Sequence, residues 1–394
     1  MQYSRGSSIW IFICVFIFAL GGGLPQAGFP FFLKQDLALS ASSFGHVFVA
    51  FNFGLLMSSF VCGIVSDHVG RPPVILACFI LDAVALFLIP FSYSSITVAL
   101  LRWVMGFTNA GLNMCGTLVD ELLPSDSRSS DKSRAQSQLL VFLTAGILGG
   151  TFFSSQISSF RRACTIGCLL ELVAAGIGLS MWPLRARGTL LDRTPRVASQ
   201  QKVVPSARWW SAHLTTPFVA LCGAQFLLGF GQSPIESTLP LYAAARDRTI
   251  TSRRWSLMQT IFQTCNACSQ ALLATRTAGW LGVRFAVMFG ILGLAACWGL
   301  FYSVGRTAVT FALIEGLYGI VQGILSPNLA TLGLTLAAPQ ARGTLLGLLN
   351  AVACLGRVMG PLYMNPLFGI RTGLLFNLVS MATVGAAFLS YFAR

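Results

Sequence analysis

At 394 residues, 55% hydrophobic and only 10% charged, with a mean hydropathy of +0.73, the chain carries too much apolar surface for one aqueous core, since soluble domains are about a quarter charged. A formal net charge of +14 would suggest nucleic acid in a soluble protein, but here the basic residues collect between apolar runs, where anionic lipid is the natural partner and nucleic acid is not expected. Most of the eleven cysteines, Cys14, Cys62, Cys78, Cys222, Cys297 and Cys354 among them, sit inside apolar segments, where Cys is a small hydrophobe and neither a disulfide framework nor a metal site.

A spanning helix needs about 20 mostly apolar residues. Twelve stretches qualify, at 8–33, 43–65, 74–93, 95–119, 136–158, 163–184, 215–244, 255–277, 283–305, 307–333, 343–366 and 370–392, numbered below as spans 1 to 12. The first runs on through Pro25 and Pro30 without a small-residue cleavage pattern, which a secretion signal would carry. One connection is long: 185–214 is polar and basic, with Pro195 and Pro205, and reads as a cytoplasmic linker between halves 1–184 and 215–394. With the N-terminus inside, fifteen Lys and Arg fall on the inner side and nine on the outer. That bias places both termini in the cytoplasm.

Between spans 2 and 3, Gly63-Ile-Val-Ser-Asp67-His-Val-Gly70-Arg71 puts one acid and one base on a tight turn at the membrane surface. Asp120 and Glu121 end span 4 at the same surface. A carboxylate facing a helix N-terminus gains roughly 0.3–1 kcal/mol, a scale that suits a latch which must hold and release.

Ionisable groups deep in spans are costly and mark function by default. Arg102, Glu236, Glu315 and Arg357 lie in spans 4, 7, 10 and 11, and Asp82 and Glu171 in spans 3 and 6. Two acids and two bases sharing one cavity can pair off and so lower the cost of burying each. Burial favours a neutral carboxyl and a nearby guanidinium a charged one, so Glu236 or Glu315 can load and release protons if its surroundings alternate. Asp82 and Glu171 are expected to be structural. Gln26, Asn109, Asn113, Gln232, Gln322, Asn328 and Asn350 are candidates to bind a solute, and 31 phenylalanines, including Phe29, Phe31 and Phe32, can supply an aromatic lining.

The halves repeat at an offset near 210 residues. Gly21-Gly-Gly-Leu-Pro25 matches Gly229-Phe-Gly231 and Pro234; Arg102-x-x-x-Gly106-x-x-x-Ala110 matches Glu315-x-x-x-Gly319-x-x-x-Gly323; Gly146 and Gly150 match Gly356 and Gly360; and Gly282-Val-Arg284 is a worn copy of the turn at Gly70, with Gly279 in place of Asp67. Small residues at four-residue spacing let membrane helices approach closely.

The spacing Gly63-x-x-x-Asp67-x-x-Gly70-Arg71, joined by Arg102-x-x-x-Gly106 and by Gly356-x-x-x-Gly360-Pro361, resembles the major facilitator superfamily, most closely its twelve-helix drug:proton antiporter branch. Span 5 departs from that branch at Gly150-Thr151, and span 1 offers Gln26 where an acid is usual. The resemblance implies an all-α integral membrane protein with twelve transmembrane helices as two six-helix pseudo-repeats. Spans 1, 4, 7 and 10 would line a central cavity, 2, 5, 8 and 11 would wall it, and 3, 6, 9 and 12 would support it. It further implies a monomeric secondary transporter without cofactor, moving a small organic solute by alternating access. Proton coupling and efflux are expected, with the plasma membrane the default location. Asp67 would face the start of span 11 near Gly343-Thr344, and Arg71 an acid ending span 4.

A metabolite uniporter or symporter is the alternative within transport. No G-x-x-x-x-G-K-[ST] loop supports ATP-driven pumping. A membrane-embedded enzyme would want clustered His or Asp, but His46, His68 and His213 are scattered. A non-transporting sensor is the third class.

Overall fold

The computed structural model describes residues 5–122, 129–157, 159–179, 214–336 and 342–392. Every regular element among them is helical. Span 1 is α1 (Arg5–Gln26) plus α2 (Phe29–Gln35); spans 2 and 3 are α3 (Ala41–Val69) and α4 (Arg71–Leu88); span 4 is α5 (Ser95–Thr108) plus α6 (Ala110–Leu122); spans 5 and 6 are α7 (Ser129–Ser154) and α8 (Phe160–Leu179). In the second half, span 7 is α9 (Thr216–Arg246) and span 8 is α10 (Ser252–Leu272) plus α11 (Ala274–Leu281). Spans 9 to 12 are α12 (Val283–Ser303), α13 (Ala308–Leu336), α14 (Arg342–Ile370) and α15 (Thr372–Tyr391). All twelve expected spans are present. The linker at 185–214 lies almost wholly outside the described residues.

Three spans are each split into two helices. Beyond Pro25 the chain turns at Ala27-Gly28, and Gly28 donates to the Pro25 carbonyl at 3.1 Å. Span 4 steps at Asn109 and span 8 at Leu273. At the step in span 8 Asn328 of α13 donates to the Ala274 carbonyl at 3.2 Å.

Among the described residues, seven helices, in spans 1, 3, 6, 7, 9, 10 and 12, are long and apolar enough to cross a membrane by length and composition alone. Of the other long helices α10 is the least apolar, with Gln259, Gln263 and Gln270 along it.

Packing repeats with a shift of six spans. In the first half span 1 packs on 5 and 6, span 2 on 4, and span 3 on 4 and 6; in the second, span 7 packs on 11 and 12, span 8 on 10, and span 9 on 10 and 12. The main contacts between halves are span 2 with 11 and span 5 with 8, a pattern that maps onto itself when the halves are exchanged. Two parallel repeats about an axis along the membrane normal give this relation.

The repeated glycines are its contact points. Gly106 lies against the Phe51 carbonyl of α3, and Gly319 against the Phe262 carbonyl of α10. Gly146 meets Phe16 of α1, and Gly356 meets Phe226 of α9. Helix association in lipid rests on such close van der Waals fit and not on expelling water. The surface turn repeats as well: Gly70 (φ 93°, ψ 159°) and Gly282 (φ 80°, ψ 152°) precede α4 and α12 in a backbone region that is essentially restricted to Gly. Because α3 continues through Val69, the turn contracts to Gly70 instead of spanning 63–71.

Candidate functional site

A cavity of about 470 Å³ lies between the halves. Arg102 (α5), Glu236 (α9), Glu315 (α13) and Arg357 (α14) all line it, with Gln26 and Asn109. Asp82, expected to be a structural residue on a support span, reaches the same wall. Aromatic rings from both halves, including Phe29, Phe51, Phe262, Trp298 and Tyr318, complete the lining.

Each half supplies one guanidinium with an acid beside it. In the first half Arg102 has Asp82 as its charged neighbour, and Asp82 accepts from Thr108 Oγ1 at 2.5 Å. Arg102 stacks between Phe29 and Phe51, with its guanidinium carbon 4.7 and 4.5 Å from their ring centres; cation–π contacts of this kind are worth about 0.5–2 kcal/mol. Its Nε is buried without a hydrogen-bond partner among the described residues. In the second half Arg357 is the charged neighbour of Glu236, and its side chain lies over Gly229 of α9. Glu236 accepts from Gln232 Nε2 at 2.7 Å and Tyr318 OH at 3.4 Å, while remaining open to the cavity.

Glu315 is fully buried. One carboxyl oxygen accepts from Gln259 at 3.4 Å, and the other, Oε2, has no partner among the described residues. Arg102 and Glu315 thus line one cavity from opposite halves, each with a buried polar atom, Nε and Oε2, that has no hydrogen-bond partner among the described residues. Buried polar atoms are nearly always bonded, so these two are exceptions.

The remaining solute candidates divide. Gln232 stands behind Glu236, which it orients, and also bonds Tyr318 OH at 3.0 Å. Asn328 is not on the cavity, because its amide is spent on the Ala274 and Ile324 carbonyls at the break in span 8. Gln322 bonds Ser326 one turn along its own helix. Asn350 lines a second cavity, of about 500 Å³, with Ser58, Ser66, Arg71 and Gly347. Leu112 and Leu143 line both cavities, so the central chamber continues toward the face that carries the two termini. The side chains of Asp67, Asn113, Asp120 and Glu121, together with Gly63 and the 343–344 pair, fall outside the described residues, and the expected latch falls with them.

The opposite face is shut. Gly45 of α3 presses on Pro361 and Asn365 of α14, and Asn365 donates to Ser237 of α9 at 3.1 Å. Ser154 of α7 and Ser256 of α10 share a hydrogen bond at 3.2 Å. Ala27 and Phe31 of the first half pack into the apolar core of the second.

A family model described as the Major Facilitator Superfamily matches residues 11–361. Among solved structures the chain is similar to a mutant of the nucleoside transporter NupG, with a TM-score of 0.79 and 15% identity over 98% of this chain and 99% of that one. Another NupG structure gives 0.72 and 14% over 100% and 98%. The human organic anion transporter MFSD10 (TETRAN) gives 0.67 and 17% over 98% of each chain. No curated protein matches the sequence.

Proposed function

We propose that this chain, which belongs to the major facilitator superfamily and so moves a solute across a membrane, is a proton-coupled carrier of a small organic molecule. The observation that supports this reading is a charged side chain from each half, Arg102 and Glu315, on a single chamber between the halves, each with a buried atom that has no partner among the described residues. A solute that offers an acceptor to Arg102 and a donor to Glu315 would tie the halves together, and its aromatic or apolar body would rest on Phe29, Phe51 and Phe262. Differential affinity for the two arrangements of the halves is what lets a ligand shift their balance.

In this reading Glu236 and Glu315 carry the coupling protons, Arg102 and Arg357 set their charge, and the Asp67–Arg71 turn with Asp120 and Glu121 latches the face that carries the termini. The halves run 1–184 and 215–394, the linker and both termini are cytoplasmic, and the protein works as a monomer in the plasma membrane. The chamber's continuation toward the termini then represents an inward-facing arrangement. Efflux by antiport, as in the drug:proton antiporter branch, is the favoured direction, with metabolite uniport or symport the alternative. Glu236, with two neutral donors and a guanidinium beside it, favours coupling because it stands open to the chamber.

The test is accumulation of panel solutes in proteoliposomes under an imposed pH gradient. A carrier concentrates its solute and loses the gradient dependence in Glu315→Gln or Glu236→Gln. Concentration of no solute by protein that binds one in thermal-shift screening would refute the reading.

A further inference from the structure

We propose that Asp82 and Glu171 form a second proton-carrying site, a carboxyl pair inside the first half that opens onto the chamber through Asp82. The pair rests on the carrier reading for its role, but its existence is a separate matter.

Glu171 is central in α8, and its residue is fully buried. No donor among the described residues reaches either carboxyl oxygen, and the side chain that meets it is another acid, Asp82. The space it occupies is made by two glycines of α1: a Cβ on Gly21 would stand 3.0 Å from Glu171 Cγ, and one on Gly22 would stand 3.6 Å from Oε1. Its charged neighbour, across the packing of α4 on α8, is Asp82. Asp82 is 6% exposed, accepts from Thr108 and lines the chamber.

The titratable groups around the pair are few. Arg102 faces Asp82 from α5, Cys78 lies beside it on its own helix, and Cys164 and Cys168 lie beside Glu171 on α8. The neighbouring turn of α1 offers only glycines. One guanidinium therefore faces two acids. Two carboxylates side by side in a low-dielectric site with one cation do not both ionise, so one proton stays. The Thr108 hydroxyl and Arg102 both favour a charged Asp82, which leaves the proton on Glu171, its O–H directed at the Asp82 carboxylate. Transfer to Asp82 and on to water in the chamber releases one H⁺ and leaves two carboxylates against one cation. Return of a proton, or entry of a cationic group on a solute, restores the balance. Proton release and cation entry are thereby opposed, which is the logic of exchange.

Infrared difference spectroscopy of the purified full chain in detergent tests the pair without transport. Subtracting Glu171→Gln from the unaltered protein at neutral pH is expected to leave a protonated-carboxyl carbonyl band that moves down in D2O. Loss of a carboxylate band instead would overturn the proposal. Should Glu171→Gln fail to fold, Asp82→Asn serves: the Glu171 band must shift as its acceptor changes, and an unmoved band overturns the pair. A band that behaves as expected in a protein that concentrates no solute would leave the pair standing and sink the carrier reading, whereas the reverse result would sink only the pair.

Discussion

Arg102 and Glu315 hold the same position in the two halves. Each stands four residues before the glycine, Gly106 or Gly319, at which its span meets a neighbouring backbone, and each lines the shared chamber. The repeat thus puts opposite charges, not like ones, at equivalent positions about its axis. A symmetric scaffold with an antisymmetric charge pattern gives a solute one preferred orientation.

The coupling assignment predicts that Glu315→Gln and Glu236→Gln each reduce gradient-driven accumulation by at least about tenfold, roughly 1.4 kcal/mol of coupling, while binding without a gradient persists. Proteoliposome uptake with and without a pH step measures both. Full coupling in both variants would end the assignment.

Arg102→Lys is expected to weaken solute binding about tenfold although the charge is kept. A lysine ammonium cannot present a planar fork between Phe29 and Phe51. Phe51→Leu, which removes one face of that clamp, is expected to weaken binding by a smaller factor. Thermal shift against bound solute compares the three proteins, and equal binding by Arg102→Lys would contradict the clamp.

Gly106→Ala and Gly319→Ala are expected to lower the melting temperature, since the added methyl meets backbone on α3 or α10 and overpacking costs about 1–3 kcal/mol. Gly176→Ala is the control. Nothing lies within 4 Å of a Cβ there, so helix propensity alone should make it neutral or stabilising by about 0.5–1 kcal/mol.

Ser154→Cys combined with Ser256→Cys should form a disulfide across spans 5 and 8, because the two hydroxyls already touch at 3.2 Å. The bridge would hold that face shut and abolish transport, and reductant would restore it. Each single variant should transport normally. Unimpaired transport in the oxidised double variant would show that this face does not open.

Asp247, at the end of α9, accepts from the Thr249 amide at 2.9 Å and the Ala308 amide at 2.8 Å. The hydrogen bonds around Thr249, with that from Ala308, hold its carboxyl below the usual carboxylate range. A depressed folded-state value means that the charged form stabilises. The contribution is complete above the unfolded pKa, near 4, and fades as pH falls through the folded value. Melting curves of Asp247→Asn and the unaltered chain should therefore differ at neutral pH and converge in acid.

The spans were legible because a run of about 20 apolar residues can mean little else, and the repeat because Gly106, Gly319, Gly146 and Gly356 mark contacts that only small residues allow. Arg102, Glu236, Glu315 and Arg357 could be placed around the chamber from their span numbers once the family resemblance assigned those spans to it. Asp82 could not: α4 is apolar all round, with Leu81, Ala83 and Val84 about it, so no periodicity says which way the acid points. Asn328 misled for the opposite reason, since its carbonyl partner appears only where span 8 breaks, and nothing local to Asn328 announces that break. The unmatched atoms of Arg102, Glu171 and Glu315 are absences, which no sequence pattern records.

The polar character of α10 bears on how the protein is made. A segment such as α10, with Gln259, Gln263, Asn266 and Gln270 along it, partitions poorly from the translocation channel into lipid by itself. It must wait at the channel until a later neighbour arrives to shield it, and α13, its packing partner, is not synthesised until two spans later. Biogenesis of the second half is therefore a deferred, collective event, and premature release of the nascent chain before α13 should expose α10 to quality control.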